Sequence, residues 1–174
     1  GAGVTYSTSG NVTLEGVNAG TGHVLVVNNG PTAGSSILRT SANQLITASS
    51  AALDVNGAGG GGSIGASASP ILVTVTNLAA RAQSGGVYIT SPTQAVTSGG
   101  ATLGGLTGIS TSYNGAISVT ASAASITTSE AVSADGTGTV TLTATGTTSD
   151  ITLNATVSSL FGTLTLVGGR NVSL

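Results

Sequence analysis

The chain has 174 residues and a formal net charge of −2, with only 5% charged residues and no cysteine, methionine or tryptophan. This length is enough for one domain with a substantial core, and a hydrophobic content of 39% is too high for ordinary disorder. The sequence has no basic footprint for nucleic acid, no apolar run that would span a membrane as a helix, and no cysteine for disulfide or thiol chemistry.

One short pattern recurs along the chain: a small residue, any residue, then two apolar residues separated by a polar one. In chain order it begins at Gly10, in part at Ser35 and Gly62, and fully at Gly85, Gly115, Gly138 and Gly162. The last three starts are 23 and 24 residues apart. A fixed period in this range is typical of a repeat architecture, and the alternation inside each copy predicts a half-buried strand.

Each period also contains one or two further short strand candidates, such as 125–127 after the copy at Gly115 and 150–154 after the copy at Gly138. Two or three short strands per period are what one turn of a parallel β-helix requires. We therefore predict an all-β chain that forms a parallel β-helix, or solenoid, of about seven coils. An antiparallel β-sandwich is the alternative, because short strands with turns between them also fit that fold.

Two glycine-rich segments interrupt the period, near 57–62 and 99–105. They are predicted to be loop excursions from the coils. The expected organisation is a single β-solenoid domain over residues 1–174 that carries these two loops.

The segments from Gly138, from Ser149 and from Gly162 through Val172 resemble the coils of filamentous-haemagglutinin-like proteins, which are large bacterial exported proteins. The resemblance is best over residues 85–174. It implies a right-handed parallel β-helix and an extracellular or cell-surface location. It also implies a structural or adhesive role, in which the chain is a shaft that acts without catalysis.

Residues that could carry chemistry are few. His23 is the only histidine, and a nucleophilic triad would have to combine it with Asp54 and a serine, but no nucleophile-elbow motif supports one. Glu130 and Asp150 are 20 residues apart and could approach on adjacent coils, as sugar cleavage by paired carboxylates would require. Solubility of a nearly neutral surface explains these carboxylates equally well.

Candidate ion and cofactor sites are incomplete. Asp54, Asn56 and Gly57 form only a fragment of a calcium loop, and the segment 57–62 lacks the lysine and hydroxyl residue that end a phosphate-binding loop. We therefore assign no catalytic residue, cofactor-binding residue or metal site, and we expect no enzymatic activity.

Spaced threonines suggest a lesser alternative, a β-helix face that binds ice or carbohydrate. The pairs are Thr74/Thr76, Thr139/Thr141/Thr143 and Thr163/Thr165. Threonine is also simply favoured in strands. Asn11, Asn154 and Asn171 begin sequons that would matter only if the source glycosylates exported proteins.

The expected partner is the chain itself, or flanking solenoid coils, joined end to end, with a cell-surface or carbohydrate target as a further possibility. The warrant is that 4–6 and 171–174 read as strands, and that no charged residue guards the first nine positions. A self-assembling extracellular fibre subunit, joined through edge strands, is thus the alternative function.

Overall fold

The computed structural model describes residues 3–101 and 103–174, and these residues contain 21 short strands and no helix that could cross a membrane. In chain order the strands are β1 (Val4–Thr8), β2 (Val12–Leu14), β3 (Val17–Asn18), β4 (His23–Asn28), β5 (Ile37–Arg39), β6 (Leu45–Thr47), β7 (Ser50–Val55), β8 (Ser63–Ile64), β9 (Ile71–Thr74), β10 (Asn77–Ala82), β11 (Gly86–Ser91), β12 (Val96–Ser98), β13 (Ile109–Thr111), β14 (Ile117–Ala121), β15 (Ile126–Thr128), β16 (Val132–Ala134), β17 (Val140–Ala144), β18 (Ile151–Leu153), β19 (Val157–Ser159), β20 (Leu164–Gly168) and β21 (Val172–Ser173).

The strands form two parallel sheets that face each other across one interior. One sheet has eleven strands, with the path β1-β4-β7-β10-β12-β15-β18-β21 and β13, β16 and β19 beside it. The other has ten strands, with the path β2-β5-β8-β11-β14-β17-β20 and β3, β6 and β9 beside it. Because each strand pairs with its counterpart one turn later, the chain is a right-handed parallel β-helix, and the antiparallel sandwich is wrong.

The recurring sequence pattern marks one complete path. The seven predicted starts, from Gly10 to Gly162, each precede one strand of the path from β2 to β20. Seven stacked strands make six steps from coil to coil, close to the predicted number of about seven coils. The register along this path joins Ile117 to Val140 and Val140 to Leu164, as the repeat spacing predicts.

Aliphatic side chains stack in rows inside the coils. One row, which we call the first row, contains Val12, Ile37, Ile64, Val87, Ile117, Val140 and Leu164. From Ile37 to Val140 every member is fully buried. A one-residue slip would turn these side chains to the outside, so burial of the row fixes the register.

The glycines that begin the repeated pattern have a packing role. Gly115, Gly138 and Gly162 lie one above another at a corner of the coil, and a Cβ on any of them would overlap a carbonyl oxygen of the preceding coil. For Gly138 that oxygen belongs to Gly115, and for Gly162 it belongs to Gly138. Backbone atoms fixed by the strand ladder cannot move aside, so this corner requires glycine.

The shape of the cross-section changes near the middle of the solenoid. The single strand β10 stacks on two shorter strands, with Leu78 opposite Ser98 in β12 and Ala80 opposite Ile109 in β13. On the other sheet the order is reversed, because β8 and β9 both stack on the single strand β11. A long strand and a pair of short strands are therefore interchangeable between neighbouring coils.

The segment between β12 and β13 packs against the outside of the solenoid. Its residues Ala101 and Leu106 are buried with Ala52 and Ala79, which are the outward-facing alanines of β7 and β10. The second glycine-rich segment thus lies within a small apolar cluster separate from the main core. The first, near 57–62, joins β7 to β8 and stacks on the corner before β5, where the Gly34 amide donates to the Gly60 carbonyl.

Candidate functional site

The outer surface of the second half of the solenoid carries two rows of mainly hydroxyl side chains. On β11, β14, β17 and β20 the outward positions are Tyr88, Ser118, Thr141 and Thr165 in one row and Thr90, Thr120, Thr143 and Val167 in the next. Neighbours along a row are ~4.8 Å apart and the two rows are ~7 Å apart, since these are the spacings of strands and of alternate residues. We call this surface the hydroxyl face.

A comparable surface lies on the opposite sheet. Its rows are Thr97, Thr127, Thr152 and Ser173, and Ser110, Ser133 and Ser158. Hydroxyls of adjacent coils bond each other, as in the 3.3 Å contact from Ser158 to Ser133. The sequence analysis missed these rows because each strand here contributes only one hydroxyl per coil; their spacing of 23 to 25 residues is a signal that could have found them.

The predicted threonine pairs do not form one array. Thr141, Thr143 and Thr165 lie together on the hydroxyl face, but Thr74 belongs to β9, where it pairs with Thr47 on a different path. The expected ice-binding pattern therefore reduces to the few coils around β17.

The charged residues are used within the coils. Arg81 makes a bidentate pair with Asp54 on the adjacent coil, with N–O distances of 2.8 and 2.7 Å. Hydrogen bonds from this carboxylate raise the pKa of Arg81 above its ordinary value. Arg170 pairs in the same way with Asp150, and its hydrogen bonds lower the pKa of that exposed carboxyl. Both pairs join successive coils, and register alone brings them together.

The structure does not bring the candidate catalytic residues together. His23 pairs with Ser50 at the start of β4, whereas Asp54 lies four residues further along, opposite Val27, and is bonded to Arg81. No triad geometry follows from that arrangement.

The two candidate carboxylates are also apart. Asp150 lies beside Ser125 before β15, and Glu130 follows that strand at its other end, which separates them by about 16 Å at ~3.3 Å per residue. The residues that the structure describes include no cluster of three acidic or histidine side chains that could hold a metal ion.

The remaining arginine adjoins a very small cleft. Arg39 donates to the Ser41 carbonyl at 2.7 Å, and its Nε is buried without a partner beside Leu14 and Gln44. The cleft has a volume of about 10 Å³, which is room for one water molecule and not for a larger ligand.

The three sequon asparagines differ in their contacts. The Asn11 side chain accepts a hydrogen bond from the Ser36 amide at 2.8 Å, and Asn171 donates to Asp150 at 3.2 Å. Asn154 is exposed just after β18.

The largest concave feature is the open end formed by the last coil. It is a bowl of about 490 Å³ lined mainly by apolar residues, including Leu153, Val157, Leu164 and Leu166. Leu164 has the inward-facing register of Val140, but 42% of its surface is exposed because no further coil covers it among the described residues. Its predicted stacking on Val140 is confirmed, whereas its burial is incomplete.

Comparisons with known proteins returned no match: no family model, no curated protein and no solved structure is similar to this chain at a significant level. The fold and the surfaces described above therefore carry the functional argument by themselves.

Proposed function

We propose that the chain is a structural, adhesive shaft of an extracellular or bacterial cell-surface protein, and that it acts without catalysis. The observation that carries this proposal is the uninterrupted stacking of coils. Each coil contacts only its neighbours, and the aliphatic core runs from Val12 to Leu164 without a break. Such stacking produces a stiff rod whose length is set by the number of coils.

Surface chemistry supports a role in an exposed environment. The chain has no lysine, and two of its three arginines are held in ion pairs between coils. Few sites therefore suit a trypsin-like protease, and the backbone around those sites is paired in strands. The broad hydroxyl surfaces offer many weak hydrogen bonds, which is suitable for adhesion to hydrated polysaccharide.

The location and the adhesive role can be tested together. Antibodies against the folded chain should label intact cells of the source, and beads coated with the chain should bind carbohydrate-rich surfaces. Heat-unfolded chain on identical beads is the control. Labelling only after permeabilisation, or equal binding by folded and unfolded chain, would contradict the proposal.

The hydroxyl face supports a second candidate function, binding to a regular surface such as ice. Thr141, Thr143 and Thr165 present hydroxyl and methyl groups in two rows on a flat sheet. If this face binds ice, the chain should show thermal hysteresis, and Thr143→Glu should abolish it. Ser133→Glu, on the opposite sheet, is the matched control and should leave thermal hysteresis unchanged.

A further inference from the structure

Both ends of the solenoid expose inward-facing rows of the same core. At the first coil, Tyr6 has the inward register of Val26 but is 49% exposed. The row that it begins, the second row, continues through Val26, Leu53, Ala80, Ile109 and Val132 to Val157 in the bowl. The first row likewise runs from Val12 to Leu164.

From these matching ends we propose that the bowl binds the first coil of a second copy, so that chains stack head to tail. In this arrangement Tyr6 of one copy lies on Val157 of the other, and Val12 lies on Leu164. Both rows then continue across the junction as they continue between coils of one chain. The inference concerns assembly and does not depend on the extracellular role.

Backbone polarity supports the same register. The Ile117 amide donates to the Thr139 carbonyl at 2.7 Å, and the Val140 amide donates to the Thr163 carbonyl at 2.9 Å. Leu164 has the same position in the row, so its amide faces the open end. In the stacked pair its acceptor would be the carbonyl of Asn11, the residue before Val12.

The two end cross-sections differ, but the molecule already contains both kinds of junction. The first coil has one long strand, β1, opposite the short pair β2 and β3, whereas the last coil has short strands opposite the long β20. Stacking would place a short pair on a long strand and a long strand on a short pair. The junctions of β8 and β9 with β11, and of β10 with β12 and β13, show that both are compatible with this cross-section.

The strands at the junction carry no charge that would block pairing. Glu15 is the charged residue of the first coil and Arg170 that of the last, and these have opposite signs. Edge strands that avoid association usually carry lysine, proline or inward-facing charges, and neither β1 nor β20 has any of these.

One local adjustment is needed. β21 already pairs with β18, and Leu174 follows it at the position where Val4 of the incoming copy would lie. The incoming copy therefore pairs through Tyr6–Thr8 and through β2 and β3, while its residues up to Val4 yield their place to β21.

The test uses one charge at each end and a matched neighbour. Leu164→Glu places a charge in the bowl, and Tyr6→Glu places one on the opposite end. Thr165→Glu and Ser7→Glu add the same charge at exposed, outward-facing positions of the same two strands. Circular dichroism verifies that all four variants keep the β fold. Sedimentation over a wide range of concentration measures association.

We expect the parent and both outward-facing controls to form concentration-dependent oligomers. Leu164→Glu and Tyr6→Glu should each weaken association by about a hundredfold or more, because a charge would be buried without a partner. Mixed together, the two variants should form dimers, since each retains the end that the other lacks. A monomeric parent at every concentration, unchanged association of both end variants, or no dimer in the mixture would overturn the proposal.

Discussion

A comparison of truncations in the first row tests the stacked core, because the row predicts that the smaller truncation costs more. Val140 is fully buried between Ile117 and Leu164. Val140→Ala removes two carbons, worth ~1.6 kcal/mol of transfer free energy at ~0.8 kcal/mol each. The strand ladder holds the coils apart, so the cavity cannot close, and the expected loss of unfolding free energy is about 2–3 kcal/mol.

Leu164→Ala removes more carbon but should cost only about 1 kcal/mol, because 42% of this residue is already exposed and its loss leaves an open surface. Thr141→Ala, facing outward between them in the neighbouring row, should change the unfolding free energy by less than about 0.5 kcal/mol. Urea unfolding followed by circular dichroism measures all three, at a concentration where the chain is monomeric. If Leu164→Ala costs more than Val140→Ala in the monomer, the assignment of buried and open coils is wrong.

Three further predictions follow from the corner, the repeat and the charges. Gly138→Ala should lower the midpoint of urea unfolding strongly, because its Cβ would overlap the carbonyl of Gly115; an unchanged midpoint would refute the packed corner. Deleting residues 117–139 removes one whole coil and joins Ala116 to Val140, so the shortened chain should keep the parent's circular dichroism spectrum. Deleting only 117–128 should abolish the fold, and equal behaviour of the two deletions would exclude a modular repeat. The Asp150 carboxyl should titrate below its ordinary pKa of 3.8, and Arg170→Gln should return it towards that value. Since the folded-state pKa is the lower one, this pair stabilises the fold above the unfolded-state pKa and loses its effect as the pH falls through the folded-state pKa; carboxyl NMR shifts in parent and variant measure this.

The path from β2 to β20 was predictable because each of its strands combines alternation with a preceding small residue. The copies at Gly115, Gly138 and Gly162 carry both signals, and β14, β17 and β20 follow directly from them. The opposite sheet was harder to predict in its second half. Its strands there, such as β13 and β16, have three residues and one large apolar side chain each, which is too short for a periodicity to be recognised.

Features that depend on register between distant residues were not accessible from sequence. The pair of Asp54 and Arg81 is 27 residues apart, a separation that differs from the 23- and 24-residue repeat spacings. The covering of Ala52 and Ala79 by the segment near Leu106 also required the structure, because outward-facing alanines in a strand give no signal that they are buried. Local pattern thus fixes which residues face inward, but the lengths of the corners decide which residues meet across coils.

The register of neighbouring coils is the central claim, and spin labels on the hydroxyl face test it most directly. The chain has no cysteine, so cysteines introduced in place of Thr120 and Thr143 would be its only labelling sites. These positions pair in register on β14 and β17, and labels there should be ~4.8 Å apart and show strong spin exchange in the electron paramagnetic resonance spectrum. Labels at Thr120 and Val167, two coils apart, should show only dipolar broadening. Exchange that is absent from the first pair, or equally strong in the second, would contradict the parallel β-helix.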